Sequence, residues 1–188
     1  SVKDVKLDGV IAPGHVSAVI GSESWRFIPT KYGIPTVVSG FEPIDVLISI
    51  LTILKQMISK RATLVNEYIR VVKPEGSLHA KRVMSKVYDV IDSYWRGIGR
   101  VPVSGAILNE KFRSYDALYQ LGIKEEGMGR DEMPGCRCGD IVLGRARPTD
   151  CPLFLKVCTP DRPYGPCMVS SEGTCRIWAE SAIIFEFK

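Results

Sequence analysis

The first 135 residues of this 188-residue chain contain no cysteine, and all six cysteines fall between Cys136 and Cys175. Other absences narrow the field. No run of like charges exceeds three, and a net charge of +4 is spread over 25 basic and 21 acidic residues. A nucleic-acid footprint therefore has no support. The longest apolar stretch, residues 44–58, is interrupted by Asp45, Ser49, Thr52, Lys55 and Gln56. It is too short and too polar to span a bilayer. No secretory signal opens the chain, so the expected compartment is the reducing cytoplasm. An initiating methionine is also missing: Ser1-Val2-Lys3 opens in what reads as the approach to a strand.

What is present is concentrated at the C-terminal end. Cys136 and Cys138 flank a single arginine; gaps of twelve, six, eight and seven residues then lead to Cys151, Cys158, Cys167 and Cys175. Thiols crowd in this way to form disulfides or to hold metal. A disulfide framework suits small secreted chains that cannot build a core, and this chain is long enough to build one. Structural zinc usually takes two close Cys-x-x-Cys pairs, whereas here one tighter Cys-x-Cys is followed by scattered single cysteines. A 4Fe–4S cluster spreads its irons over a wider cage and tolerates such spacing. Four ligands would leave two thiols over, enough for a redox-active pair. On spacing alone all three readings stand.

The preceding residues alternate strand and helix signals, which makes the expected fold α/β. The run from Val5 to Ala12 leads into a strand that stops at Pro13-Gly14, and His15 to Gly21 fits a short helix with Val16, Val19 and Ile20 inward. Residues 25–33 form a connection with a helical turn, and residues 34–40 a β-branched second strand. Pro43 suits the first turn of a helix reaching about Lys60, with Glu42 as its N-cap. That helix is apolar on almost every side and is expected to lie between layers. Residues 64–72 read as extended, 75–91 as a helix with an Ala80, Met84, Val87, Ile91 core stripe, 93–109 as extended, and 111–121 as a short helix. His15 and Glu42 each follow a strand end, where open α/β sheets bind ligands, and they are expected to share one cleft. Capping or packing is the plainer role for each. The polar, glycine-rich residues 122–135 mark the expected boundary between an α/β domain (1–121) and a cysteine-rich domain of coil and short helices (122–188). A helical pattern returns over 174–187.

The motifs themselves carry a resemblance. Cys136-Arg-Cys-Gly139, Pro148-Thr-Asp-Cys-Pro-Leu-Phe154, Cys158-Thr-Pro160 and the run from Gly165 to Cys175 are similar to the C-terminal cluster domain of the HypD family, maturation proteins for nickel–iron hydrogenases. Upstream, residues 8–16, 38–43, 66–72, 95–99 and 102–105 match in the family's order. The resemblance implies a Rossmann-like open sheet followed by a small iron–sulfur lobe. It implies a scaffold with redox chemistry on which the iron–dicyanide–carbonyl unit is assembled with HypC and HypE. The chain then corresponds to the C-terminal half, and the iron-bearing thiol belongs to the missing N-terminal half. By likeness to ferredoxin–thioredoxin reductase, Cys136, Cys151, Cys158 and Cys175 would hold the 4Fe–4S cluster and Cys138 and Cys167 would form the redox dithiol. Spacing alone would equally allow Cys175 as the partner of Cys138. Two other classes remain, a stand-alone iron–sulfur thiol oxidoreductase and a zinc-stabilised interaction module.

Overall fold

A computed structural model describes residues 5–123 and 134–181. The expected boundary over 122–135 and the end of the 174–187 helix fall largely outside the described residues. The architecture is mixed α/β, and the chain divides into compact units over residues 6–87 and 88–188. The expected domain boundary at 121–122 lies inside the later unit.

In the earlier unit, β1 (Val10–Pro13), α1 (Gly14–Ile20), a 3₁₀ turn, α2 (Phe27–Tyr32), β2 (Thr36–Ser39), α3 (Pro43–Ile58), β3 (Leu64–Asn66) and α4 (Leu78–Val87) follow in order. The three strands form one parallel sheet in the order β1-β2-β3. In register, Pro13 lies opposite Ser39 and Val38 opposite Asn66. β2, the central strand, is buried along its whole length, as a β-branched strand paired on both sides should be. Ala12, Val38 and Val72 anchor the core, with Ala18, Trp25, Leu64 and Tyr68 packed around them.

Several expectations need correction here. Val16 is exposed, and α1 instead turns Gly14 and Ser17 inward. Ser17 is tied there because its hydroxyl donates to the Pro13 carbonyl and accepts from the Trp25 indole at 2.9 Å. The extended run beginning at Leu64 stops at Asn66, because the Glu67 and Tyr68 amides both turn back to the Val38 carbonyl. The 75–91 helix is also shorter than its apolar period suggested. It ends at Val87, none of its residues is buried, and Ile91 lies instead on a strand paired through to residue 108. Non-local pairing has overridden local periodicity.

α3 departs furthest from expectation. Its N-terminus is as the sequence indicates, with Glu42 as N-cap, Pro43 in the first turn and Asp45 completing a capping box. Yet the helix is not sandwiched. It buries Asp45, Ser49 and Gln56 toward the sheet and leaves Ile44, Leu47, Ile48, Leu51, Leu54 and Ile58 exposed.

The later unit opens with a hairpin, β4 (Tyr88–Trp95) and β5 (Gly99–Leu108), antiparallel with a register shift between Ile91 and Ser93. A 3₁₀ segment over Glu110–Tyr115 and α5 (Ala117–Gln120) take the place of the single helix expected there. The cysteine-bearing segment is built of turns and four short pieces: α6 (Cys138–Val142), a 3₁₀ turn Pro148–Asp150, α7 (Pro166–Val169) and α8 (Thr174–Glu180). Its core is mostly sulfur: Cys138, Cys151, Cys158, Cys167, Cys175 and Met168, joined by Ile141.

Candidate functional sites: a sheet-edge cluster and a thiol core

Two constellations hold the chemistry, one in each unit. The first lies at the carboxyl edge of the parallel sheet. Because β1 and β2 end in register, α1 and α3 begin side by side. His15 sits in the first turn of α1, and its ring stacks on Phe41 with centroids 4.2 Å apart. Glu42 is the next residue along. The two sequence-chosen residues thus lie at the same sheet edge.

Three residues at this edge had no assigned role in the sequence. Asp45, the third helical residue of α3, is buried and receives a fork from Arg70, 2.9 Å to Oδ1 and 2.6 Å to Oδ2. The Glu42 amide also donates to Asp45. The Arg70 guanidinium holds the Asp45 carboxyl below its usual range; burial opposes this and the Glu42 amide assists. Asp45 and, more distantly, Glu42 raise the Arg70 pKa in turn. Arg70 lies 3.3 Å from Glu42 and covers the Tyr68 ring at 4.5 Å. Tyr68 reaches this position only because its neighbours lack side chains. A Cβ on Gly14 would stand 2.7 Å from its ring, and one on Gly40 would run into Asp45 and stand 2.8 Å from the same ring. A lone aspartate inside an apolar helix was the signal that could have revealed this network, since a buried carboxylate needs a cation. With Arg70 neutralised by Asp45, the edge presents an exposed imidazole and a rim carboxylate.

The second constellation gathers the six thiols. None is in a disulfide; five are buried and Cys136 is half-buried. Cys138 opens α6, Cys151 follows the Pro148 turn, Cys158 closes a tight loop with its amide on the Leu153 carbonyl, and Cys167 and Cys175 lie in the first turns of α7 and α8. The Cys167 thiol donates to Cys175 Sγ at 3.1 Å. The Tyr164 amide donates to Cys158 Sγ at 3.3 Å. Burial pushes the Cys136 and Cys175 thiols up, partly offset for Cys136 by the Cys138 amide and for Cys175 by the Cys167 thiol. Charge on Cys138, Cys151 and Cys158 raises both further.

Glycines fix the approach around this core. A Cβ on Gly139 would strike the Gly97 carbonyl, and one on Gly165 would lie 2.6 Å from Cys136 Sγ. The β4–β5 turn, with Gly97 at φ 82°, therefore rests against Cys138-Gly139. The glycine density of 93–109 signals such close approach, although not its target.

Soft thiols lined by Ile141, Met168, Leu153, Phe154 and Ala179, with amides aimed at sulfur, are a donor set suited to an iron–sulfur group. Among the described residues, no three His, Cys, Asp or Glu side chains are set to hold a single ion. Nor does any helix among them have the length and apolarity to cross a membrane.

Comparison with known proteins bears on both sites. The sequence model described as "HypD: Hydrogenase formation hypA family" matches residues 1–182. A putative hydrogenase expression/formation protein of Methanocaldococcus jannaschii is 49% identical over 175 residues, 93% of this chain and 48% of that protein. Hydrogenase maturation factors HypD2 of Bradyrhizobium diazoefficiens and HypD of Cupriavidus necator are each 41% identical over 172 residues, 91% of this chain and 45% of theirs. The chain spans about half the length of the curated relatives that it matches.

Proposed function

The chain belongs to the HypD family, and from that premise we propose that it serves as a hydrogenase maturation factor, a scaffold with redox chemistry for assembling the iron–dicyanide–carbonyl unit. Its thiol core would carry a 4Fe–4S cluster on Cys136, Cys151, Cys158 and Cys175. The observation that carries this reading is the convergence of all six thiols, from five short turns and helices, on one apolar core. A bound cluster would supply one-electron exchange. The chain's own part is a dithiol, Cys138 and Cys167: a disulfide between them takes two electrons and two protons to give two thiols. The 3.1 Å contact between Cys167 and Cys175 fits a redox thiol lying against a ligand.

His15 and Glu42 would form one wall of the assembly cleft, with Asp45 and Arg70 keeping α3 and the Glu42 rim in place. HypC and HypE are the expected partners, together with the family region that this chain does not contain. Six thiols outside any disulfide suit a reducing compartment such as the cytoplasm.

Six single alanine variants, prepared without oxygen, test the division of the cysteines. Iron should be lost from the Cys136, Cys151, Cys158 and Cys175 variants and retained by the Cys138 and Cys167 variants. Loss of iron from the Cys138 variant, with full iron in the Cys151 variant, would overturn it. In pull-downs, this chain should bind HypC and HypE more weakly than a full-length relative does, because part of the interface would lie in the other half. Equal binding would place the interface in this half.

A further inference from the structure

The apolar face of α3 is a broad feature that neither site uses. A helix packed on a sheet normally turns its apolar stripe inward, and this one does the reverse. Positions 45, 49 and 56 face the sheet with Asp, Ser and Gln, while Ile44, Leu47, Ile48, Leu51, Leu54 and Ile58 form a continuous stripe at helical spacing on the outer side. Leu47 is 62% exposed and Ile58 is 83% exposed. Val46, Ile50 and Met57 widen the face on its flank. The polar inner side is not an error of register. Asp45 is paired to Arg70, and the Gln56 side-chain carbonyl accepts from both the Thr63 amide and hydroxyl at 2.6 and 3.0 Å. Asp45 and the Gln56 carbonyl thus hold the helix with its apolar stripe outward, whereas Ser49 Oγ and Gln56 Nε2 are buried without a hydrogen bond among the described residues.

A stripe this broad on a soluble surface marks an interface. We infer that it docks the family region absent from this chain, the roughly half-length segment by which the matched relatives exceed it. The inference rests on the maturation-factor reading and supplies the place where the two halves meet. Length supports that occupant, since a complete relative contains a second polypeptide portion of similar size for every copy of this one. Charge adds a specification. Lys55, Lys60 and Arg61 are exposed at the C-terminal end of the stripe. The docking surface should therefore be apolar with carboxylates at one end, and the Glu42 end of α3 should meet neutral or basic groups. Docking would also bring the second half to the start of α3, beside Glu42 and His15.

The test co-expresses the tagged 188-residue chain with the part of the Methanocaldococcus jannaschii relative outside the matched 175 residues. Mass is read by light scattering and affinity by titration. A one-to-one complex is expected, and Leu47→Glu and Leu51→Glu should each weaken it by about a hundredfold or more. Both side chains face solvent, so circular dichroism of the variant chains should be unchanged. Val90→Glu, at an equally exposed position of the hairpin, is the control and should leave affinity unchanged. The inference is overturned by no complex, by a homodimer that excludes the second half, or by a monomer whose α3 is shielded by its own later unit. It is equally overturned if the complex is insensitive to both α3 variants. Iron is measured on the same samples: an iron-free chain that still docks would sink the cluster reading alone, and an iron-loaded chain that fails to dock would sink this one alone.

Discussion

The two units are held together by different matter. Residues 6–87 are organised by a parallel sheet whose central strand is buried throughout, with Val37 and Val38 fully enclosed. The thiol core of the later unit has almost no sheet and little hydrocarbon; among the described residues, Met168 and Ile141 are its only large buried apolar side chains besides the cysteines themselves. Backbone pairing and aliphatic burial can stabilise the first unaided. Short helices of four to seven residues are marginal on their own, so the proposed cluster would supply much of the stability of the thiol region. One region is thus framed by its own sheet, and the other is proposed to be completed by a cluster.

The largest effect should come from removing a proposed cluster ligand. Cys151→Ala or Cys158→Ala should abolish iron binding, cost several kcal/mol in the later unit, and open it to proteolysis. Residues 6–87 should stay protected; their joint loss would break the distinction between the units. The reciprocal substitution, Val37→Ala, should cost about 2 kcal/mol, lower the thermal midpoint of the sheet unit, and leave iron content unchanged. Gly139→Ala comes next, because its methyl would meet the Gly97 carbonyl, backbone against backbone. A shift in the hairpin turn costing about 1–3 kcal/mol is expected, read as altered oxidation of Cys138 with iron retained.

A subtler effect distinguishes the Asp45–Arg70 pair at the sheet edge. The Arg70 guanidinium keeps the Asp45 pKa below its unfolded value of about 3.9. Its stabilising contribution is therefore complete above that pH and is lost as pH falls through the folded value. Asp45→Asn should lose stability at neutral pH, and its difference from the parent chain should close in acid. A difference that persists unchanged to pH 2 would show that the pair acts through packing alone.

What was legible in the sequence follows the same division. The ends of β1 and β2 and the cap of α3 were readable because glycine, proline and Glu42 act locally. The inside-out setting of α3 was not, because hydropathy records which residues are apolar and not which face meets the sheet. α4 and β4 were merged because the partner of Ile91 is Gly105, fourteen residues away. In the thiol region, spacing showed that the cysteines belong together and could not show how. The contact between Cys167 and Cys175 depends on α7 and α8 folding back on one another, and the cover over Cys138 comes from a turn some forty residues earlier. Asp45, Tyr68 and Arg70 stayed hidden for a related reason: a charged pair 25 residues apart leaves no periodic trace.

The metal content of the chain purified without oxygen tests the thiol core most directly. Iron, acid-labile sulfide and zinc would be measured together with the visible absorption spectrum. About four iron and four sulfide per chain, brown protein and little zinc are the expected result. Colourless protein with one zinc, or a protease-resistant residues 134–181 segment with no metal at all, would contradict the claim that an iron–sulfur cluster completes this fold.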